Sequence, residues 1–331
     1  MADSQGVMVF LETSDSKLTG ISLELLGAGR KLAKDLNQSV SAVLVGSNVK
    51  GLAAEAVAFG ADKVFAVDDV NLANYVSDTY VGVVERLVKQ ASPAILLLGQ
   101  TAIGRDLAPR LAFRLGVGLS TDCIDLAIDP QTKNLLQTRP VYGGNARAIF
   151  ATNSRPQIAT VRQKAMSSIE RDASRKGETV TAEAGLNPST LRVKFIKKVK
   201  EEVTGVKLED ADVVISGGRG IGGPEGFKQL EELAKILHGA IGATRSACDN
   251  NWVPTTTQVG LTGKIVAPTL YIAVALSGAS QHMAGCSGSK TIVAINKDPE
   301  ANIFKEAQFG IVGDYKQVIP ALTKKIKELV G

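Results

Sequence analysis

Residues suited to phosphate binding follow two apolar stretches in the last third of the chain. Ser216–Gly220 comes directly after DVVI, and Ser277–Gln281 comes directly after LYIAVAL. Glycines let the backbone approach an anion closely, a following helix offers N–H groups, and the guanidinium of Arg219 adds a positive fork. The spacing in the first stretch matches neither GxGxxG nor the Walker pattern, so a tight turn with a surface arginine is the alternative interpretation.

Two further strand-like stretches end in side chains that suit a nucleoside. Asn296 follows TIVAI, and the pair Asp314-Tyr315 follows FGIVG. Such side chains bind ribose hydroxyls and adenine edges, but each alone also suits a turn or a helix cap. His282 lies one turn beyond Ser277–Gln281 and is expected to face the same cleft, although a lone histidine is often purely structural.

A fifth segment brings Thr244 and Arg245 and then the compact turn Val259–Gly263. All five segments lie at strand ends, or in the loops between strands, of one C-terminal region. A large dinucleotide could use them together, whereas a small metabolite would not need so many.

Side chains for hydrolysis or group transfer are missing from the sequence. There is no GxSxG elbow, no HExxH, no nearby carboxylate pair and no Cys/His couple. Cys123, Cys248 and Cys286 show no CxxC spacing and there are two histidines, which argues against a metal site. The chemistry is therefore expected to come from a bound cofactor.

The elements that must position these residues form a domain over 191–331. Apolar strands alternate with amphipathic helices such as GFKQLEELAKILHG and YKQVIPALTKKIKELV. Short continuous apolar strands separated by helices predict an open parallel sheet, in which a ligand binds beyond the carboxyl ends of the strands. We expect a Rossmann-like domain of the deoxyhypusine-synthase type.

The first part of the chain, over 1–165, shows the same alternation and predicts a second α/β domain. After Ser120, the segments LLQTRPVYGG, ARAIFAT and QIATVR are expected to add antiparallel strands to its sheet. The polar stretch 166–190 is interpreted as a linker or an arm over a neighbour.

The composition of the chain limits the partners and the cellular location that can be expected. The chain is 44% hydrophobic and 21% charged, with a net charge of +5 spread along its length, so nucleic acid is not an expected partner. The apolar runs are too short for membrane insertion, and no signal peptide precedes the first strand, which predicts a cytoplasmic protein.

Several motifs resemble the alpha subunit of electron-transfer flavoproteins. These are VVISGGRG, QVGLTGKIVAPTLYIAVALSGASQHMAG and KTIVAINKDPEANIF with FGIVGDY, and the match covers the whole C-terminal domain. The first domain agrees more loosely, through GQTAIGRDLAPRLAFRLGVGLSTD and RPVYGGNARA. The resemblance implies FAD on the C-terminal domain and a beta subunit that pairs with the N-terminal domain in a heterodimer.

The resemblance also implies roles for individual residues. Arg219 and Ser277–Gln281 would serve the diphosphate. Arg245 would favour the reduced, anionic flavin, and His282 would reach the pyrimidine edge of the flavin and favour the semiquinone. The complete set of implied cofactor-binding residues is Arg219, Thr244, Arg245, Val259, Gly260, Leu261, Thr262, Ser277, Gly278, Ala279, Ser280, Gln281, His282, Asn296, Asp314 and Tyr315.

Cys248, Asn250-Asn251, Gln163 and Leu261 depart from the commonest family pattern, and the contact at Leu261 is the one put in doubt. These departures suggest a bacterial subgroup, for example one with an NADH-oxidising, electron-bifurcating beta subunit. The sequence thus predicts an electron carrier, rather than a classical enzyme, that serves acyl-CoA dehydrogenases or an NADH-linked partner. The alternatives are a non-redox module for an adenine nucleotide, and an NAD-dependent enzyme using Lys264 or Lys290.

Overall fold

The computed structural model describes residues 4–144, 146–186, 192–193, 195–197 and 206–330. The chain divides into two compact units. Unit 1 comprises 1–140 with 147–198, and unit 2 comprises 141–146 with 199–331.

The elements of the first part of the chain are twelve strands and four α-helices among the described residues. The strands are β1 (Val7–Leu11), β2 (Thr13–Ser14), β3 (Lys17–Leu18), β4 (Val40–Gly46), β5 (Lys63–Asp68), β6 (Ile95–Gly99), β7 (Leu119–Cys123), β8 (Asp125–Ile128), β9 (Leu135–Val141), β10 (Ala146–Phe150), β11 (Gln157–Val161) and β12 (Glu178–Thr181). The helices are α1 (Gly20–Leu36), α2 (Ala53–Ala58), α3 (Ser77–Ala91) and α4 (Ala102–Leu115).

Seven of these strands form one sheet in the order β12-β5-β4-β1-β6-β11-β7, and the paired neighbours are parallel. Every residue of β1 is buried. Val7 and Val9 pack with α1 in one apolar cluster, whereas Met8 and Phe10 pack with α3 and α4 in another. Both faces of the sheet are therefore covered, which is why its strands read as continuous apolar runs.

The segment after Ser120 differs from its prediction. β8 and β9 pair antiparallel within a separate three-stranded sheet of order β10-β9-β8. β11, expected to be antiparallel, lies between β6 and β7 and runs parallel to both. All five residues of β11 are buried, and its polar side chains are satisfied there: Gln157 accepts a hydrogen bond from the Leu135 N–H and Thr160 from the Asp122 N–H. The polar residues of β11 therefore do not indicate that this strand is exposed to solvent.

The stretch interpreted as a linker contributes to unit 1. β12 extends the sheet next to β5, the Asp172 N–H donates to the Ala58 carbonyl at 3.0 Å, and Arg171 pairs with Glu55 at 2.9 Å. Residues 166–186 are therefore packed on this unit, and 187–190, the rest of the predicted linker, lie outside the described residues.

Unit 2 is built on a five-stranded parallel sheet. Its strands are β13 (Val213–Gly217), β14 (Ala240–Ala243), β15 (Leu270–Val274), β16 (Thr291–Asn296) and β17 (Phe309–Val312), and its helices are α5 (Pro224–Ile236), α6 (Arg245–Asp249), α7 (Ser280–Cys286), α8 (Ile303–Glu306) and α9 (Tyr315–Val330). The order β14-β13-β15-β16-β17 and the parallel pairing confirm the predicted α/β class, with a mostly parallel sheet in each domain. β14, the next strand along the chain after β13, pairs with one edge of β13, and β15 pairs with the other edge. The strand order therefore reverses between β13 and β15, which makes this strand pair a topological switch point.

Among the residues that the structure describes, no helix has the length and apolar character needed to cross a bilayer. The same residues contain no cluster of three or more His, Cys, Asp or Glu side chains able to hold a metal ion.

Candidate functional site

The loops after β13 and β15 meet at the switch point of unit 2. The Gly218 N–H donates to the Val274 carbonyl and the Gly220 N–H to the Ala275 carbonyl, both at 3.0 Å. A Cβ on Gly218 would lie less than 3.0 Å from Leu276, so only glycine allows this approach. The contact holds two of the predicted anion-binding segments side by side at the carboxyl edge of the sheet.

Both loops carry hydrogen-bond donors that have no partner in the described part of the protein. Within the described residues, the N–H groups of Ser277, Gly278 and Ala279 have no backbone or side-chain acceptor, and Arg219 has no ion-pair partner. Arg219 is exposed on a 3-10 turn, and Gly278 has a φ of +78°. Consecutive free N–H groups next to a guanidinium suit a phosphate group. These residues therefore fit the diphosphate of a dinucleotide.

The turn Val259–Gly263 is attached to α7. The Leu261 N–H donates to the Gln281 carbonyl at 2.7 Å, and His282 Nδ1 lies 3.0 Å from the Val259 carbonyl oxygen. Thr262 accepts a hydrogen bond from Gln258, also at 3.0 Å, and the side chain of Leu261 is exposed. The structure thus brings together three predicted segments: this turn, the loop after β15 and the helix that carries His282.

His282 is buried, with 6% of its surface exposed. Its Nε2 lies 2.8 Å from the Tyr271 hydroxyl oxygen, so both ring nitrogens have partners inside the protein. Burial lowers the pKa of the imidazole to about 4, although the hydrogen bond to Val259 acts in the opposite direction. In this arrangement the ring carries no charge at neutral pH.

Thr244 and Arg245 lie where β14 ends and α6 begins. Thr244 precedes the helix, its N–H donates to the Gly217 carbonyl, and its buried Oγ1 has no partner among the described residues. The Arg245 side chain is 70% exposed and its Nε lies 3.3 Å from Asp249 Oδ2. An exposed pair one helical turn apart is weak, so the guanidinium is available to a ligand.

The three residues predicted at the adenosine end form hydrogen bonds with the protein itself. Asn296 Nδ2 donates to the Leu276 carbonyl at 2.9 Å, Asp314 accepts from the Lys316 N–H at 2.9 Å, and the Tyr315 hydroxyl donates to the Ile221 carbonyl at 2.7 Å. The contact of Asp314 agrees with the cap interpretation. The contacts of Asn296 and Tyr315 join segments far apart in the sequence and anchor both anion-binding loops, because Leu276 and Ile221 belong to them.

Tyr271 and Gly285 were missed by the sequence interpretation. Tyr271 is fully buried in β15, and a buried phenol must find a hydrogen-bond partner, which was the available signal. Gly285 lies in α7, where a Cβ would come less than 3.0 Å from the backbone of Gly260. No sequence pattern marks that contact, because it joins two elements through their backbones.

Comparison with known proteins agrees with this geometry. The electron transfer flavoprotein domain matches residues 7–186, and the electron transfer flavoprotein FAD-binding domain matches 207–287. Electron transfer flavoprotein subunit alpha of Thermoanaerobacterium thermosaccharolyticum is 48% identical over 330 residues, which cover 99% of this chain and 100% of that protein. Subunit alpha of Megasphaera elsdenii is 44% identical, over 100% of this chain and 99% of that protein. Protein FixB of Azotobacter vinelandii is 38% identical, over 99% of this chain and 93% of that protein. The chain therefore belongs to the electron transfer flavoprotein alpha subunit family, and it carries that family's FAD-binding domain.

Proposed function

We propose that this chain is the FAD-binding half of an electron-carrying heterodimer. Its 191–331 domain would hold FAD, and its 1–165 domain would pair with a beta subunit, the partner that membership of the family implies. The heterodimer would take electrons from dehydrogenases of the acyl-CoA type, or exchange them with an NADH-linked partner, and pass them to an acceptor.

One observation carries the proposal: the pair of anion-binding loops at the switch point. Arg219 and the free N–H groups of Ser277, Gly278 and Ala279 supply positive charge and donors on neighbouring strand ends. A dinucleotide with its diphosphate there would extend along the carboxyl edge, where Arg245 has an available guanidinium. FAD, when bound, supplies the redox chemistry.

The protein side chains would bind and orient the cofactor rather than break a substrate bond. Arg245 lies at the start of α6, directly after β14, with Thr244 Oγ1 unpaired beside it. A positive charge placed against a flavin ring makes its reduced, anionic form more stable. The turn Val259–Thr262, held on α7, would form the wall of the same pocket.

The test is the visible spectrum of the heterodimer made by co-expression with its beta subunit. Flavin bands are expected, and Arg219→Ala should weaken FAD binding about tenfold or more, because charge-assisted hydrogen bonds contribute about 1.5–3 kcal/mol. Lys325→Ala is the matched control, since Lys325 is exposed on α9 and pairs with Glu328. A colourless protein that FAD cannot reconstitute would instead favour the adenine-nucleotide module.

The same preparation tests the electron-bifurcating version of the proposal. A second flavin on the beta subunit is expected in that case, so the ratio of flavin to heterodimer should be two. A ratio of one, with electrons accepted from an acyl-CoA dehydrogenase, would support the simple carrier.

A further inference from the structure

A cavity of about 350 Å³ opens in unit 1 between α3 and the segment that follows β12. Asp78, Gly82 and Arg86 line it at one-turn spacing along α3, and residues 184–186 line it from the segment after β12. Sites for small molecules typically measure about 300–1,000 Å³, so this cavity has the size of such a site. All of its lining residues belong to unit 1, so it is distinct from the anion-binding loops of unit 2.

Positive charge predominates in the lining of this cavity. Among the described residues, three guanidinium groups face one carboxylate, that of Asp78, and the three are Arg86, Arg114 and Arg192. We call the cavity lined by these three residues the arginine pocket. Arg192 Nε lies 3.4 Å from Asp78 Oδ2, and the Arg192 side chain is 83% exposed, so this ion pair is weak. The carboxylate therefore does not cancel the charge of the pocket.

Donors remain free on the other two arginines. Arg86 donates to the Glu183 carbonyl and has no acidic partner among the described residues. Arg114 Nε lies 2.6 Å from Glu85 Oε2, but that carboxyl group also pairs with Lys89 at 2.6 Å. Since a guanidinium has five N–H donors in a planar fork, both side chains keep N–H groups for a ligand.

The segment after β12 adds backbone donors. The N–H groups of Ala184, Gly185 and Leu186 have no acceptor among the described residues, and all three residues line the arginine pocket. Gly185 has a φ of +57°, and a Cβ on it would collide with the Arg86 guanidinium. Glycine thus lets this guanidinium lie directly against the backbone. Successive free N–H groups at a left-handed residue, beside a guanidinium, are a typical environment for an anion.

The same pocket has an apolar part. Val83 is buried in its lining and Leu186 is half-buried. A Cβ on Gly82 would meet nothing within 4 Å, so there is open space next to α3. The pocket therefore offers an apolar surface as well as cationic donors, which suits a ligand with an organic part.

We propose that the arginine pocket binds a small phosphomonoester. Its phosphate would bind Arg86, Arg114 and the free N–H groups of 184–186, and its organic part would pack on Val83 and Leu186. A phosphomonoester carries close to two negative charges at neutral pH and three acceptor oxygens, which match guanidinium forks better than the single charge of a carboxylate. The site belongs to unit 1 and does not depend on FAD binding by unit 2.

Calorimetric titration of the FAD-loaded heterodimer tests the proposal with three probes: phenyl phosphate, inorganic phosphate and benzoate. Phenyl phosphate should bind with a Kd of about 1 mM or lower. Inorganic phosphate lacks the organic part and benzoate lacks the second charge, so each should bind at least about threefold more weakly. The proposal is overturned if benzoate binds as tightly as phenyl phosphate. It is also overturned if phenyl phosphate gives no heat of binding, the result expected if an acidic segment of the beta subunit fills the pocket.

Charge variants identify where the probe binds. Arg86→Gln and Arg114→Gln should each weaken the binding of phenyl phosphate about tenfold, because each removes charge-assisted hydrogen bonds. Arg110→Gln is the matched control, since Arg110 is also an exposed arginine of α4, pairs with Asp106 and does not line the pocket. Unchanged affinity in both pocket variants would mean that the probe binds elsewhere.

Gly82→Leu tests the cavity without removing a charge. The new side chain would enter the open space beside α3 and should abolish the binding of phenyl phosphate, whereas Gly82→Ala should retain it within about threefold. Hydrogen exchange gives a local readout: the probe should slow exchange at 184–186 in the wild type and leave it unchanged in Gly82→Leu. Wild-type affinity in folded Gly82→Leu, or no slowing at 184–186 in the wild type, would overturn the proposal.

Discussion

Gly285 in α7 lies so close to Gly260 that no side chain fits between them: a Cβ on Gly285 would lie less than 3.0 Å from two backbone atoms of Gly260, its N and Cα. Backbone atoms cannot move aside as the end of a flexible side chain can. The contact therefore sets the distance between the helix and the turn that together form one wall of the proposed FAD pocket.

Gly285→Ala should force these two elements apart. Overpacking of this kind costs about 1–3 kcal/mol, and we expect FAD affinity to fall at least tenfold. Thermal unfolding and titration with FAD measure the two effects. Gly82→Ala in α3 is the control, because a Cβ there meets nothing within 4 Å, and it should be neutral or slightly stabilising. Normal FAD affinity in Gly285→Ala would show that the contact is not required.

Arg245 and Asp249 form a weak ion pair on the surface. Removing one or the other of these charges should shift the flavin potential in opposite directions. Removing the positive charge with Arg245→Ala should make the potential of the first one-electron reduction of bound FAD more negative, by about 40 mV for an effect of ~1 kcal/mol. Asp249→Asn removes the competing carboxylate, 3.3 Å from Arg245 Nε, and should shift the potential the other way. Anaerobic redox titration of the heterodimer measures both. Shifts of the same sign in the two variants would contradict the assigned role of Arg245.

Glu12 makes the stability of unit 1 depend on pH. The carboxyl group is 8% exposed, follows β1 and accepts a hydrogen bond from Thr101 Oγ1 at 2.7 Å. Burial raises its pKa to about 7, with the Thr101 hydrogen bond acting against the shift. The folded state thus prefers the protonated form: no cost arises below about pH 4.5, and stability falls as the pH rises towards 7.

Glu12→Gln should remove that dependence. The change from 4.5 to about 7 corresponds to about 3 kcal/mol above pH 7. We expect slower hydrogen exchange in β1 and β6 of Glu12→Gln than of the wild type at pH 8, with the difference vanishing near pH 4. Equal exchange of the two proteins at pH 8 would mean that Glu12 is not held in a buried environment.

The architecture was predictable because sheet burial leaves a clear pattern in the sequence. Continuous apolar strands that alternate with amphipathic helices predicted both parallel sheets, and the strand ends indicated the edge where we propose the site. β11 was assigned the wrong direction because pairing direction depends on neighbours distant in the chain. Gln157 and Thr160 are accommodated inside the sheet because they accept hydrogen bonds from the N–H groups of Leu135 and Asp122, which lie far from them in the sequence.

The individual roles in the site were harder to predict than its place. Asn296 and Asp314 accept hydrogen bonds from the N–H groups of Asp298 and Lys316, as short polar side chains at strand and helix ends commonly do. The environment of His282 depends on Tyr271, which is on another element and carries no motif. Residue types and spacing thus indicated a dinucleotide edge, but not which side chains remain available to a ligand.

His282 should also make the stability of unit 2 depend on pH, with the opposite sign to Glu12. Burial lowers its pKa from 6.5 to about 4, so its stabilising effect is complete above pH 6.5 and is lost as the pH falls towards 4. The full difference corresponds to about 3 kcal/mol. The single tryptophan, Trp252, packs against an apolar cluster of unit 2 and reports the unfolding of that unit by fluorescence.

The urea midpoint from Trp252 fluorescence should therefore decrease between pH 7 and pH 5 in the wild type, and decrease less in His282→Gln. Tyr80→Phe, in unit 1, should follow the wild-type curve and so controls for a general loss of packing. Only a group that is neutral in the folded state and protonated in the unfolded state gives this difference, because a histidine paired with an acid would stabilise the unit at low pH instead. A midpoint that rises on acidification in the wild type but not in His282→Gln would show that the ring is charged in the native protein.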